Sequence, residues 1–150
     1  MDLDQAIARA KSPASTPTRQ FAGLVLVPVE SGKREQLVAL LDQIRRETIA
    51  AMRGRAPAQP VLPFQQLESL HYARLVLIDR EQQPALLAFS TDYDGPEGES
   101  GCSESRAWQH HLRDLQGVSA GLERVFAHCT GYRSGQLEAY LSKHRLRAST

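Results

Sequence analysis

The sequence predicts an α+β fold organised around an antiparallel hairpin. Two apolar runs, Leu75–Ile78 and Ala85–Phe89, flank a polar break, which is the pattern of two strands joined by a short turn. A further apolar strand at Phe21–Val29 precedes them, and the three- and four-residue spacing of leucines within Lys33–Arg53 predicts a helix between. The hairpin therefore follows a strand and a helix.

The second half of the chain predicts another helix, a fourth strand and a terminal helix. We expect helices at Glu104–Gln116 and Gln136–Arg145, with a helical turn at Ser119–Glu123. Arg124–Thr130 is interpreted as the fourth strand, although Phe126–His128 could instead prolong the turn. The order strand, helix, strand, strand, helix, strand is that of the ferredoxin-like βαββαβ fold. We therefore expect a four-stranded antiparallel sheet with helices on one face, plus a C-terminal helix.

Length and composition indicate one domain at 21–150 behind a flexible arm at 1–20, where Ser, Thr and Pro are dense. The net charge of +1 does not favour nucleic acid as a partner. Cys102 and Cys129 are too few for a disulfide framework or a metal set, which favours a reduced, cytoplasmic setting. Every apolar run is shorter than the ~20 residues of a membrane-spanning helix, so no membrane span is expected.

The expected architecture leaves one face of an apolar sheet without helices, and such a face needs a cover. We expect a second copy of the chain to supply it, so the protein is predicted to be a homodimer. Side chains alternate between the faces of a strand, which divides the second strand into two sets. One set is His71, Ala73, Leu75 and Leu77, and the other is Tyr72, Arg74, Val76 and Ile78. Which set faces the partner stays open at this point.

Three segments resemble ferredoxin-like domains of the dimeric α/β-barrel superfamily. They are VLVPVESGKREQLVALL, the hairpin HYARLVLID…LLAFSTDYDG, and GLERVFAHCTGY, and their series of motifs is similar to a poorly characterised branch. The superfamily includes haem enzymes, cofactor-free monooxygenases and non-catalytic modules. Its dye-decolourising peroxidases carry Gly-x-x-Asp-Gly, which Asp94 and Gly95 match while Thr91 replaces the first glycine. The resemblance thus implies the fold and leaves the activity open.

Two functional hypotheses follow. The first is a small-molecule-binding or association module that holds an apolar or anionic organic ligand between the sheet and a partner subunit, in a pocket lined by Tyr72, Arg74, Phe89, Tyr93 and His128. The second is a small oxidoreductase, cofactor-free or haem-dependent, with His71, Arg74 and Asp94 as candidate catalytic residues and His128 as an alternative to His71.

Each candidate residue also has a structural interpretation. His71 and Arg74 could pair with Asp92 or Asp94 and so close the open end of the hairpin. Asp94, before glycine and proline, is typical of a turn. Cys129 is expected to be a small buried hydrophobe. The neighbouring His110 and His111 diverge by about 100° on a helix, so they cannot chelate a metal together and are predicted to lie on a solvated surface.

Overall fold

A three-stranded antiparallel sheet with helices packed on one of its faces forms the centre of the protein. The structure is a computed structural model that describes residues 19–96, 98 and 101–147, so most of the predicted arm at 1–20 lies outside the described residues. The strand order is β1-β3-β2, and the strands are β1 (Gln20–Pro28), β2 (Leu70–Arg80) and β3 (Gln83–Asp94). The predicted first strand and central hairpin are confirmed.

Amphipathic spacing located three helices to within one residue at each end. They are α1 (Arg34–Met52), α2 (Glu104–Leu115) and α4 (Leu137–His144), and α3 (Ser119–Phe126) lies between the last two. The apolar stripe of α1 turns Leu37, Leu40 and Ile44 into the core. The Ser103 side chain caps α2 by accepting a hydrogen bond of 3.2 Å from the backbone N–H of Arg106.

The predicted four-stranded ferredoxin-like sheet is wrong, because the expected fourth strand at Arg124–Thr130 begins as the last turn of a helix and continues as turns. Helix α3 continues to Phe126, and only Cys129 forms an isolated bridge, to Val29 at the edge of β1. The physical reason is the spacing of Leu122, Val125 and Phe126, which are all fully buried on one side of a helix. The fold is therefore α+β with a three-stranded sheet.

The two faces of the sheet differ in how far their side chains are buried. Alternate residues of β1 and β3 are buried against the helices, including Val25, Val27, Leu87 and Phe89. The continuous apolar run at residues 24–27 is buried on one face only, since Leu24 is 38% exposed. Register shows that Ala73, Leu75 and Leu77 of β2 share the helix-covered face, while Tyr72, Arg74, Val76 and Ile78 share the other. We call that other face the open face.

The proline-containing segment between α1 and β2 is anchored within the molecule. Its Val61 and Leu62 are buried, and the backbone N–H of Val61 donates to a Glu47 carboxylate oxygen at 2.9 Å. Gly121 of α3 packs so closely against this segment that a Cβ there would lie 1.8 Å from the Val61 carbonyl oxygen. Glycine therefore permits the close approach between α3 and the segment.

The length and the apolar character of a helix decide whether it can cross a membrane. Over the described ranges, none combines the length and the apolar character needed to cross a bilayer.

Candidate functional site

The open end of the β2–β3 hairpin is closed by a hydrogen bond between His71 and Asp94. Nε2 of His71 lies 2.8 Å from Oδ1 of Asp94, and the Asp94 backbone N–H donates to the Ser69 carbonyl oxygen at 2.8 Å. The imidazole of His71 and the carboxylate of Asp94 thus bind each other, as the structural interpretation of the hairpin predicted. Arg74 does not join this pair, so the three candidate catalytic residues are not gathered at one point.

A polar cleft of about 630 Å³ lies beside this pair, and its lining includes Glu68, Ser69, Asp94, His110 and Asp114. The Ser69 hydroxyl donates to Asp114, and Nδ1 of His110 lies 3.8 Å from the same carboxylate. A serine nucleophile requires a base as its hydrogen-bond acceptor together with an orienting group behind it. Here the Ser69 hydroxyl donates to the Asp114 carboxylate itself, so the described residues of the cleft do not form the arrangement that activates a nucleophile.

Sequence reasoning missed this cleft. It placed His110 on a solvated surface, and it gave Ser69 and Asp114 no role. The available signal was the four-residue separation of His110 and Asp114 on a helix, which puts them on one face. Nothing in the sequence indicated that this face would lie against the segment before β2. Across the described part of the chain, no group of three or more His, Cys, Asp or Glu side chains is arranged to hold a metal ion.

His111 lies in the core rather than on the predicted solvated surface. Its ring stacks on Tyr93 at a centroid distance of 3.8 Å, and its Nε2 lies 2.9 Å from the Thr91 hydroxyl. Burial lowers the pKa of His111 to about 4, although the nearby Asp114 acts in the opposite direction. Burial also raises the pKa of Tyr93 to about 12. Both side chains are therefore neutral near pH 7.

The predicted pocket residues fall into separate places. Phe89 and Tyr93 are buried under the helices, whereas Tyr72 and Arg74 are exposed on the open face. His128 follows α3, where its Nδ1 lies 2.9 Å from the Arg124 carbonyl oxygen and marks the end of the helix. A single cavity lined by all five is therefore not formed within one chain. The alternation of side chains along β3 separates Phe89 and Tyr93 from the open face.

Cys129, next to His128, is buried as expected. Burial raises the pKa of its thiol to about 12. A thiol with so high a pKa is not a nucleophile near neutral pH. The Cys129 side chain is therefore part of the packing.

The open face is ordered in rows that run across all three strands. Two apolar rows follow from the register, and they are Pro28–Leu86–Ile78 and Leu26–Ala88–Val76. Two mixed rows continue toward the open end of the hairpin, and they are Leu24–Ser90–Arg74 and Ala22–Asp92–Tyr72. Every residue of these rows is at least partly exposed, and none is buried by another described part of the chain.

Comparisons with known proteins add no assignment. Protein-family models, curated proteins and solved structures all give no match to this chain. The resemblance to the dimeric α/β-barrel superfamily stays a prediction.

Proposed function

We propose that this chain is an association module that pairs with a second copy of itself through the open face. The observation that carries the proposal is the apolar character of that face, since the helices of the described residues pack on the other one. Leu24 and Ile78 are 38% and 41% exposed, and Leu26, Val76 and Leu86 are only partly covered. Contiguous apolar surface of this kind marks interaction sites on soluble domains.

The rows make this face complementary to itself. A two-fold axis parallel to β3 would stack each row on the equivalent row of the second copy, so apolar rows would meet apolar rows. The mixed rows would meet at one end, where each copy contributes Arg74 and Asp92. Neither of these side chains has a hydrogen bond or an ion pair with any other described residue. Two positive and two negative charges would then balance at that end.

The small-molecule site that the sequence predicted would lie at the same end of the open face, beside Arg74. Tyr72 and Arg74 project from the mixed rows, so a cavity left between two stacked sheets would be lined by them and not by Phe89 or Tyr93. The cytoplasm is the compartment we propose, because both cysteines, Cys102 and Cys129, are free thiols. The oxidoreductase alternative stays a prediction.

The test measures association when one charge is introduced into an apolar part of the open face. We expect sedimentation velocity to show a concentration-dependent dimer that Ile78→Asp weakens by at least about a hundredfold, because two buried isoleucines are lost per dimer. Ile49→Asp is the matched control, since Ile49 is 37% exposed on α1. It should leave the dimer intact.

Charge reversal tests the orientation of the two copies. Arg74→Glu or Asp92→Arg alone would gather four like charges at the mixed end and weaken the dimer about tenfold, whereas the double variant should restore it. Thermal melting of each variant separates lost association from lost folding. A wild-type chain that stays monomeric at all concentrations, or a dimer that Ile78→Asp leaves unchanged, would contradict the proposal.

A further inference from the structure

A half-open groove of about 490 Å³ lies between α1 and β2, on the helix-covered side of the sheet. Leu75 and Leu77 of β2 share the face of the buried Phe89 and Leu87 but are themselves only partly buried. On the side of β2 away from β3, the described residues supply no strand and no β-bridge. The apolar part of the lining is therefore left uncovered by the described chain, and it includes Val38, Leu41, Phe64, Ala73, Leu75 and Leu77.

The groove offers apolar surface rather than a charged site. Of its charged lining residues, Asp42 and Arg45 are paired with each other at 2.8 Å. The strand register places the side chain of Arg74 on the open face, away from the groove. What remains is an apolar strip between a helix and a strand, which an amphipathic helix can cover with its apolar face.

A segment with such a face precedes β1 in the sequence. Leu3, Ala6, Ile7 and Ala10 follow the i, i+3, i+4, i+7 spacing that places side chains on one face of a helix. The acidic residues of this segment come first and the basic ones last, which is the order that the helix dipole favours. Residues 3–10 lie outside the described part of the chain, so this pattern is a property of the sequence alone.

The described chain begins within reach of the groove. Arg19 lies at the open end of the hairpin, where its carbonyl oxygen accepts a hydrogen bond of 3.0 Å from the backbone N–H of Gly95. Since Gln20 pairs with Asp94, Ala73 in the groove is two strands across and a few residues along, which is about 15 Å at usual strand spacings. Residues 11–18 span up to roughly 26–29 Å when extended. They are long enough to bring residues 3–10 to the groove.

A polar route joins the start of the described chain to the groove. The polar cleft beside Asp94 is lined by both Gly95 and Gln66, and Phe64 of the same short turn as Gln66 lines the groove. Residues 12–18 contain only Ser, Thr, Pro and Ala. The composition of the connecting segment therefore suits the polar cleft, and that of residues 3–10 suits the apolar groove.

We propose that residues 3–10 fold as a short amphipathic helix into this groove of their own chain. Leu3 and Ile7 would pack on Leu75 and Leu77, with Phe64 at one wall, and would complete the helical layer over β2. The contact is independent of the proposed association, because the groove and the open face lie on opposite sides of the sheet.

The experiment measures amide hydrogen exchange at residues 7–10 by NMR in the full chain. These are the N–H groups that a helix beginning at Leu3 would bond internally. The Ile78→Asp background is used, so that docking is measured whether or not the chain associates through its open face. We expect these amides to exchange at least about tenfold more slowly than in a free peptide of residues 1–18.

Two pairs of variants locate the contact. Ile7→Asp should return exchange to the rate of the free peptide, whereas Ala8→Asp, on the opposite side of the helix, should keep the protection. Val38→Asp should act as Ile7→Asp does, whereas Ile49→Asp should not. Val38 and Ile49 are equally exposed on α1, at 37%, but only Val38 lines the groove.

Protection of the β3 amides in the same spectra shows that each variant is folded. Free exchange at residues 7–10 of the parent chain, or protection that survives Val38→Asp, would overturn the proposal. Protection that falls on dilution would assign the groove to the segment of a second copy, and would also overturn it.

Discussion

Protonation of one buried imidazole is expected to dominate the loss of stability of this protein in mild acid. His111 is 1% exposed, its Nδ1 has no hydrogen-bond partner within the described residues, and its pKa is lowered to about 4 from 6.5. A proton on this ring would place an uncompensated charge against Tyr93 and Trp108, whose rings pack on it.

The sign and size of the effect follow from linkage. Below pH 6.5 the unfolded chain accepts a proton at His111 that the folded chain refuses until the pH approaches 4. The unfolded state therefore gains stability first, and the free energy of unfolding falls by about 1.4 kcal/mol per pH unit across that window. The whole window corresponds to a loss of about 3 kcal/mol, a large part of the 5–15 kcal/mol that stabilises a typical domain.

The assay is urea unfolding followed by the fluorescence of Trp108, which is the single tryptophan of the chain and is buried beside His111. We expect His111→Gln to remove most of the decline between pH 6.5 and about 4, because glutamine can keep a hydrogen bond to Thr91 but does not titrate. His110→Gln on the same helix is the control and should keep the decline. If His111→Gln declines as steeply as the wild type, the buried imidazole is not its cause.

A further prediction concerns packing. Gly121→Ala should lower the free energy of unfolding by about 1–3 kcal/mol in urea titrations, since its Cβ would overlap the Val61 carbonyl, whereas Gly101→Ala, with nothing within 4 Å of its Cβ, should be tolerated; equal stability of the two variants would refute the close approach.

Local elements were predictable because each rests on a pattern within the segment itself. The spacing of leucines predicted α1, and the polar break between two apolar runs predicted the β2–β3 hairpin. The contact between His71 and Asp94 was one of the stated alternatives, since a hairpin brings the two ends of its strands together. The same reasoning failed at 124–130, where a β-prone composition conflicts with the helical spacing of Leu122, Val125 and Phe126.

The sequence by itself therefore determined the helix α1, the central hairpin and the alternation that divides each strand into two faces, because these depend on neighbours along the chain. Only the tertiary structure decided which face the helices cover, that His111 is buried while His110 lines a cleft, and that a groove remains between α1 and β2. Those features depend on how far each helix lies from the sheet, and that distance is set by contacts between residues remote in sequence, such as Gly121 against Val61.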